Sequence, residues 1–231
     1  RTGTILQHRT DRESAMNPTR IGIVTDTHVG DELPTLPSEV LERLAGVDLV
    51  IHAGDLVDPG VLDDLAHVAP VVAVRGNHDR NSDLPHAALL RVGAHSIAVV
   101  HGVRPAPVEL GSALAFTFLG RLDVNRHCRA LSRQVPTADL VVFGHIHIPM
   151  DRTLGRTRFY SPGPVYQPEL DPDFSWDGVP RRMYRRLRRR IPEYARRPAV
   201  GLLEVSRDAI TARTIHLERP ITPNGPAGPE H

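Results

Sequence analysis

The sequence predicts an α/β fold. Short apolar runs alternate with segments whose apolar residues recur at helical spacing, and nearly every run is followed at once by polar residues. In folds of this class sites collect beyond the carboxyl ends of the strands, which is where the polar clusters fall.

Ile21-Gly22-Ile23-Val24, the first expected strand, runs into Asp26 and His28. Ser38 then precedes a stripe of Val40, Leu41 and Leu44 closed by Gly46, the pattern of a helix with a polar N-cap and a glycine stop. Leu49-Val50-Ile51 is the next strand and leads to Gly54-Asp55; Val61, Leu62 and Leu65, after Pro59-Gly60, mark a second helix. Residues 71–74 form a strand that reaches Gly76-Asn77-His78-Asp79 with only Arg75 between. A buried strand cannot hold an amide, an imidazole and a carboxylate in a row without partners, so these three are expected at its exit, facing a cleft. Residues 97–100 lead in the same way to His101-Gly102, and residues 140–143 to Gly144-His145-Ile146-His147. After an interruption, residues 199–205 and 209–217 resume strand-like sequence.

With 231 residues, 40% of them hydrophobic, the chain is long enough for one large domain with a full core. Residues 1–15 precede Met16 and the first strand and are expected to be a tag or a disordered extension; 16–219 are expected to form a single domain. Within it, 171–198 hold nine arginines, four prolines and Trp176, and read as an insertion between strands. The Pro- and Gly-rich segment 220–231 is expected to be a disordered tail.

A net charge of +1 gives no global argument for nucleic acid or for an anionic membrane. The charge is unevenly placed, however: residues 1–170 carry 16 Arg against 19 acidic residues, whereas 171–231 carry 12 Arg against 8. All 28 basic residues are arginine, which is the mark of a codon bias and weakens the meaning of any single one. One cysteine, Cys128, excludes an internal disulfide and a thiolate metal cluster and fits a reducing compartment. No run approaches the roughly 18 apolar residues of a membrane span, and residues 1–15 lack the apolar core of a signal peptide, so a cytoplasmic protein without a membrane partner is expected.

Asp26 and His28 are two residues apart, as are His145 and His147; on an extended chain each pair would leave one face together. Adding Asp55, Asn77 and His101 makes seven oxygen and nitrogen donors on five strand ends, without sulfur. Such a set suits Mn, Fe, Co, Ni or Zn ions with open coordination positions. A single catalytic ion usually keeps about three protein ligands. Seven therefore suggest two ions that share a carboxylate.

In order along the chain, Asp26-Thr27-His28, Gly54-Asp55, Gly76-Asn77-His78-Asp79, His101-Gly102 and Gly144-His145-Ile146-His147 resemble the motif series of the calcineurin-like metallophosphoesterases, and in particular their small prokaryotic phosphodiesterase branch. The resemblance covers about residues 20–217 apart from the insertion. It implies a two-sheet β-sandwich flanked by helices (αββα). It assigns one ion to Asp26, His28 and His147, a second to Asn77, His101 and His145, and Asp55 to a bridge, with manganese the first choice among the two divalent transition-metal ions. A hydroxide between them would attack a small or nucleotide-like phosphodiester, with His78 as general acid and Asp79 orienting its ring. Gly54, Gly76, Gly102 and Gly144 stand where the chain turns beside these ligands.

The same residues leave alternatives open: a phosphomonoesterase, a phosphoprotein phosphatase, or a non-enzymatic scaffold such as the retromer-subunit branch of the superfamily. His52 is read as a hydrogen-bonded structural residue, and His8, His67, His86, His95, His127 and His231 as surface or packing histidines. Val103 stands where many family members have a second histidine, and Ser161-Pro162-Gly163-Pro164 replaces the commoner Asn-Pro-Gly-Ser. In the insertion, Met183, Leu187, Ile191 and Tyr194 follow helical spacing among arginines. A surface helix docked by this stripe is the first expectation there, and a lid or a nucleic-acid or protein surface the second.

Overall fold

The computed structural model describes residues 18–80, 82–104, 108, 123–135, 137–167 and 191–218, and the backbone of 6–7. The rest of the expected 1–15 extension, residues 171–190 of the insertion and the 220–231 tail lie outside the described residues. In chain order the elements are β1 (Leu6–Gln7), β2 (Thr19–Val24), α1 (Ser38–Arg43), β3 (Leu49–His52), α2 (Gly60–Ala66), β4 (Val71–Ala73), β5 (Ala87–Val92), β6 (His95–Val100), α3 (Val124–Leu131), β7 (Leu140–Val142), β8 (Met150–Leu154), β9 (Thr157–Ser161), a 3-10 turn (Glu193–Arg196), β10 (Ala199–Val205) and β11 (Ile210–His216).

Two sheets form, ordered β1-β5-β6-β7-β9-β8 and β11-β10-β2-β3-β4. Each has a parallel centre: β2, β3 and β4 run together in one, and β6, β7 and β9 in the other. Parallel strands need covered faces, and the sequence supplies them as near-continuous apolar runs. Ile21, Ile23, Ile51 and Leu203 of one sheet meet Leu90, Ile97, Val99 and Val142 of the other in the central core. On the far side of the first sheet, Val24, Val50 and Val200 pack with Val40 and Leu44 of the α1 region and with Val61 and Leu65 of α2. On the far side of the second, Ala98, Val141 and Phe159 pack with Cys128 and Leu131 of α3. The layers are therefore helix, sheet, sheet and helix, as the family resemblance implied. Each fully buried Leu or Ile contributes roughly 1.5–3 kcal/mol.

Local departures from the sequence reading have simple causes. Helix α1 begins at Ser38 itself with Pro37 in the cap position, one residue earlier than the Ser38 cap predicts, and no side chain is hydrogen-bonded at that cap. Proline's fixed φ suits a helix entrance, so the start shifts by one. Strands β5, β8 and β9 and helix α3 have weaker patterns. β8 alternates poorly because Asp151, Arg152 and Thr153 are all exposed. In the described part of the insertion, Ile191 is buried but Tyr194 is 63% exposed, so the expected helical stripe does not continue through it. Pro192 lies between them and precedes only a single 3-10 turn.

Among the described residues no helix is long and apolar enough to cross a membrane.

Candidate metal centre

The parallel centres of both sheets point their carboxyl ends to one place. β2, β3 and β4 deliver Asp26 and His28, Asp55, and Asn77 with His78; β6 and β7 deliver His101 and the pair His145 and His147. The chain does not continue extended through these residues, contrary to the alternation argument. Asp26, His28, Asp55, His145 and His147 all have left-handed backbones, with φ of 52°, 49°, 57°, 70° and 51°. Asp26 and His28 still bring ligand atoms to one group, but not through a pleat. A non-glycine residue in this region costs on the order of 1–3 kcal/mol, so five in one cleft require compensation from their surroundings.

Backbone hydrogen bonds supply it. The Asp26 N–H donates to the Gly54 carbonyl (3.0 Å), and the His28 N–H to the Asp55 carbonyl (3.1 Å). The His145 N–H donates to Asp26 Oδ1 (3.0 Å), which joins the end of β7 to the end of β2 across the two sheets. Thr25 Oγ1 donates to Asp26 Oδ2 (2.7 Å), and the Val165 and Tyr166 N–H groups donate to the Thr25 and Asp26 carbonyls (3.0 Å each), so the loop after β9 reaches the site. Two glycines are needed for space. A Cβ on Gly76 would collide with Asp55 Oδ1, and one on Gly144 with Thr25 Oγ1.

Ligand atoms of Asp26, His28 and His147 lie within 4.8 Å of one another, as do those of Asp26, Asp55 and His101 and those of His28, Asp55 and His78. His147 Nε2 is 3.5 Å from Asp26 Oδ1. Asp55 Oδ2 stands 3.7 Å from His28 Nε2 and 3.1 Å from His101 Nε2, between the two groups. Asn77 Oδ1 lies 3.2 Å from His101 Nε2. The His145 ring is beside that of His101, centroids 5.2 Å apart, but His145 belongs to none of the three tight groups.

The electrostatics match. Burial opposes charge on Asp26, yet the imidazoles of His147, His101 and His28 outweigh it and hold the carboxyl well below the usual range. Burial likewise opposes charge on Asp55, but its hydrogen bond with His101 prevails and lowers the pKa to about 2. Burial and the neighbouring His147 press His28 down to about 4. His101 moves the other way: burial disfavours its proton, but Asp55 overrides that and raises the pKa to about 9.

These residues fit divalent cations. The buried His28 Nε2 has no hydrogen-bond partner, an expensive state unless an ion takes the lone pair. His101 Nδ1 donates to the Ala53 carbonyl (2.8 Å), which aims Nε2 at two oxygens, from Asp55 and Asn77. That arrangement suits a proton on Nε2 or a cation shared with those oxygens, and the carbonyl behind the ring is the kind of support that orients a metal-binding histidine. Both carboxylates are ionised and His28 is neutral, the forms that bind metal.

His78 is 46% exposed by side chain; its backbone N–H donates to Asp55 Oδ1 (2.9 Å), and its ring is 4.8 Å from that of His28. Asp79 does something other than orient that ring. Its Oδ1 accepts from the Leu56 and Val57 N–H groups (2.8 Å each), and its Oδ2 from those of Asp55 (2.9 Å) and Gly76 (2.7 Å). The i,i+1 placement turns Asp79 inward to the β3 and β4 loops. The carboxylate facing His78 Nδ1 is instead Asp31, at 3.9 Å, a residue the sequence reading missed because it belongs to no motif.

His52 plays the structural part expected of it. Its Nδ1 accepts from the Gly54 N–H (3.2 Å), so the neutral ring carries its proton on Nε2, which faces Thr27 Oγ1 (3.3 Å).

A model of the "Calcineurin-like phosphoesterase superfamily domain" matches residues 19–176. The chain belongs to this superfamily. It is 32% identical over 153 residues to a "Probable metallophosphoesterase" of Methanothermobacter thermautotrophicus, covering 65% of this chain and 79% of the relative. To another protein so named, from Methanocaldococcus jannaschii, it is 35% identical over 129 residues, 56% of this chain and 59% of the relative. Among solved structures, zinc-complexed Vps29 of Entamoeba histolytica superposes with a TM-score of 0.57 at 18% identity, over 85% of this chain and 98% of that one. A predicted phosphoesterase of Streptococcus pneumoniae gives 0.53 at 21% identity, over 87% and 91%. These likenesses show that the calcineurin-like phosphoesterase fold is shared. Members of the family are metal-dependent, and the ligand clusters are of the kind that dependence requires.

Proposed function

We propose that this protein is a binuclear metal-dependent phosphoric ester hydrolase acting on phosphodiesters. The observation that carries the reading is the position of Asp55, whose carboxylate stands between the His28 and His101 groups at 3.7 and 3.1 Å. One cation would be held by Asp26, His28 and His147, the other by Asn77, His101 and His145, with Asp55 shared; manganese is the first choice for an oxygen- and nitrogen-rich set of this kind. Bound divalent ions would supply Lewis-acid charge for the phosphate oxygens and an activated water.

The chain's own residues supply the rest. The charge of Asp55 offsets repulsion between neighbouring cations. The carbonyl of Ala53 fixes the His101 ring, and Thr25 and the His145 N–H fix the Asp26 carboxylate. His78, half-exposed at the mouth and beside His28, can reach a departing ester oxygen and give it a proton. Asp31 faces that ring, with its Oδ2 3.9 Å from Nδ1.

The test is hydrolysis of bis(p-nitrophenyl) phosphate by metal-stripped protein before and after addition of Mn²⁺. The proposal expects no turnover before and turnover after. No turnover with Mn²⁺, Fe²⁺, Co²⁺, Ni²⁺ or Zn²⁺ would favour a scaffold instead, and turnover confined to p-nitrophenyl phosphate would make the protein a monoesterase.

A further inference from the structure

A cavity of about 580 Å³ opens beside the metal centre, and its wall includes Asn77 and His101 but not His78. His78, next to His28 and Asp31, stands outside that wall. A group held in this cavity would thus adjoin the Asn77 and His101 part of the centre, with His78 outside the wall.

The chemistry of the wall is specific. Arg75, Arg80 and His86 line it, together with Val103, which is 40% exposed. Arg75 is held in place: its Nε–H donates to His86 Nδ1 (3.3 Å) and Nη1 reaches the Ser82 carbonyl (3.5 Å). Neither Arg75 nor Arg80 is ion-paired with a carboxylate among the described residues. The one acid in the wall, Asp79, already accepts four backbone N–H groups. The mouth near Val103 is fixed by Gln134, whose Nε2 donates to the Val103 carbonyl (3.0 Å). His86, which the sequence places outside every motif, is therefore part of a cationic wall with an apolar rim. Guanidinium groups with N–H donors to spare bind phosphate in forked geometry.

We infer that this cavity is a second phosphate subsite, in which Arg75 and Arg80 bind a non-reacting phosphate on the ester group that the enzyme retains. This rests on the phosphodiesterase reading and narrows it: the substrate is a diester whose retained group carries a further phosphate, and the apolar rim at Val103 takes the part between the two phosphates. Cleavage adds water across the bond from phosphorus to the departing oxygen. The departing group leaves as an alcohol, and the retained group stays as a phosphate monoester with its second phosphate in the cavity. A simple monoester, whose only substituent departs, would leave the cavity unused.

The test is equilibrium binding to Mn²⁺-loaded protein of adenosine 3′,5′-bisphosphate, a product-like probe, against adenosine 5′-monophosphate. Wild type should prefer the bisphosphate by about tenfold or more, the scale of one charge-assisted hydrogen bond. Arg75→Ala and Arg80→Ala should each erase most of that preference, whereas Arg156→Ala, on the β8–β9 turn outside the cavity, should keep it. Arg75→Lys covers loss of the fold in Arg75→Ala, and its preference should fall between those of wild type and alanine. Equal binding of the two probes by wild type, or an undiminished preference in both arginine-to-alanine variants, would overturn the subsite. Binding is read without turnover, so a protein that hydrolyses no ester yet shows the arginine-dependent preference would refute the hydrolase reading and keep the phosphate site.

Discussion

Oδ2 of Asp55 lies 3.1 Å from Nε2 of His101. The two residues come from different sheets, Asp55 from the end of β3 and His101 from the end of β6, so this contact closes the joint between them. His28 approaches the same oxygen from β2 at 3.7 Å.

Asp55→Asn removes the shared charge while keeping the size. The expected outcome is weaker binding of both cations and turnover lowered by at least about 10²-fold, the upper end of what loss of an outer supporting partner causes. Metal content after dialysis and hydrolysis of an aryl phosphodiester check it. Wild-type metal content with near-normal activity would rule out a shared ligand.

His78→Ala should retain both cations and lose turnover by roughly 10²–10⁴-fold, with a smaller loss on esters with acidic leaving groups. Asp31→Asn, acting through an exposed pair at 3.9 Å, should cost no more than about fivefold. If good and poor leaving groups lose equally in His78→Ala, the proton-donor role is wrong.

Asp79→Ala should act on stability first. Four backbone N–H groups lose their acceptor, among them that of Asp55, so a loss of roughly 2–4 kcal/mol in urea unfolding is expected, along with weaker metal binding. A variant of wild-type stability with only an altered pH profile of turnover would restore the orienting role read from sequence.

His52 makes metal-free protein sensitive to acid. Burial lowers its pKa from 6.5 to about 4, and the Gly54 N–H that occupies Nδ1 must be given up on protonation. Between those values the unfolded chain binds the proton and the folded chain does not, so stability is full above about pH 6.5 and falls as pH drops toward 4, by on the order of 2–3 kcal/mol. His52→Asn should lose less stability than wild type between pH 7 and 5 in urea titrations. Parallel acid limbs in the two proteins would dismiss His52 as their source.

Much of this was legible in the residues because buried parallel strands are written as plain apolar runs and their exits as polar clusters. Residues 21–24, 49–51 and 97–100 all fall within strands that reach the site. β5 and β8 were not legible: Ala87 begins the first and exposed Asp151, Arg152 and Thr153 fill the second, so both owe their place to neighbours rather than to their own pattern. The candidate donors could be placed at strand exits, but their backbone could not be read, since left-handed φ at five non-glycine residues depends on contacts as distant as His145 to Asp26. Asp79 shows the same limit. Its neighbour in sequence suggested a partner for His78, and its direction was decided by four amides from two other segments.

The central claim is that seven side chains on the ends of five strands hold two divalent cations. Its most direct test is the number of Mn²⁺ ions that metal-stripped protein takes up in calorimetric titration. The account predicts two equivalents per chain. Saturation at one equivalent, or no uptake, would contradict it.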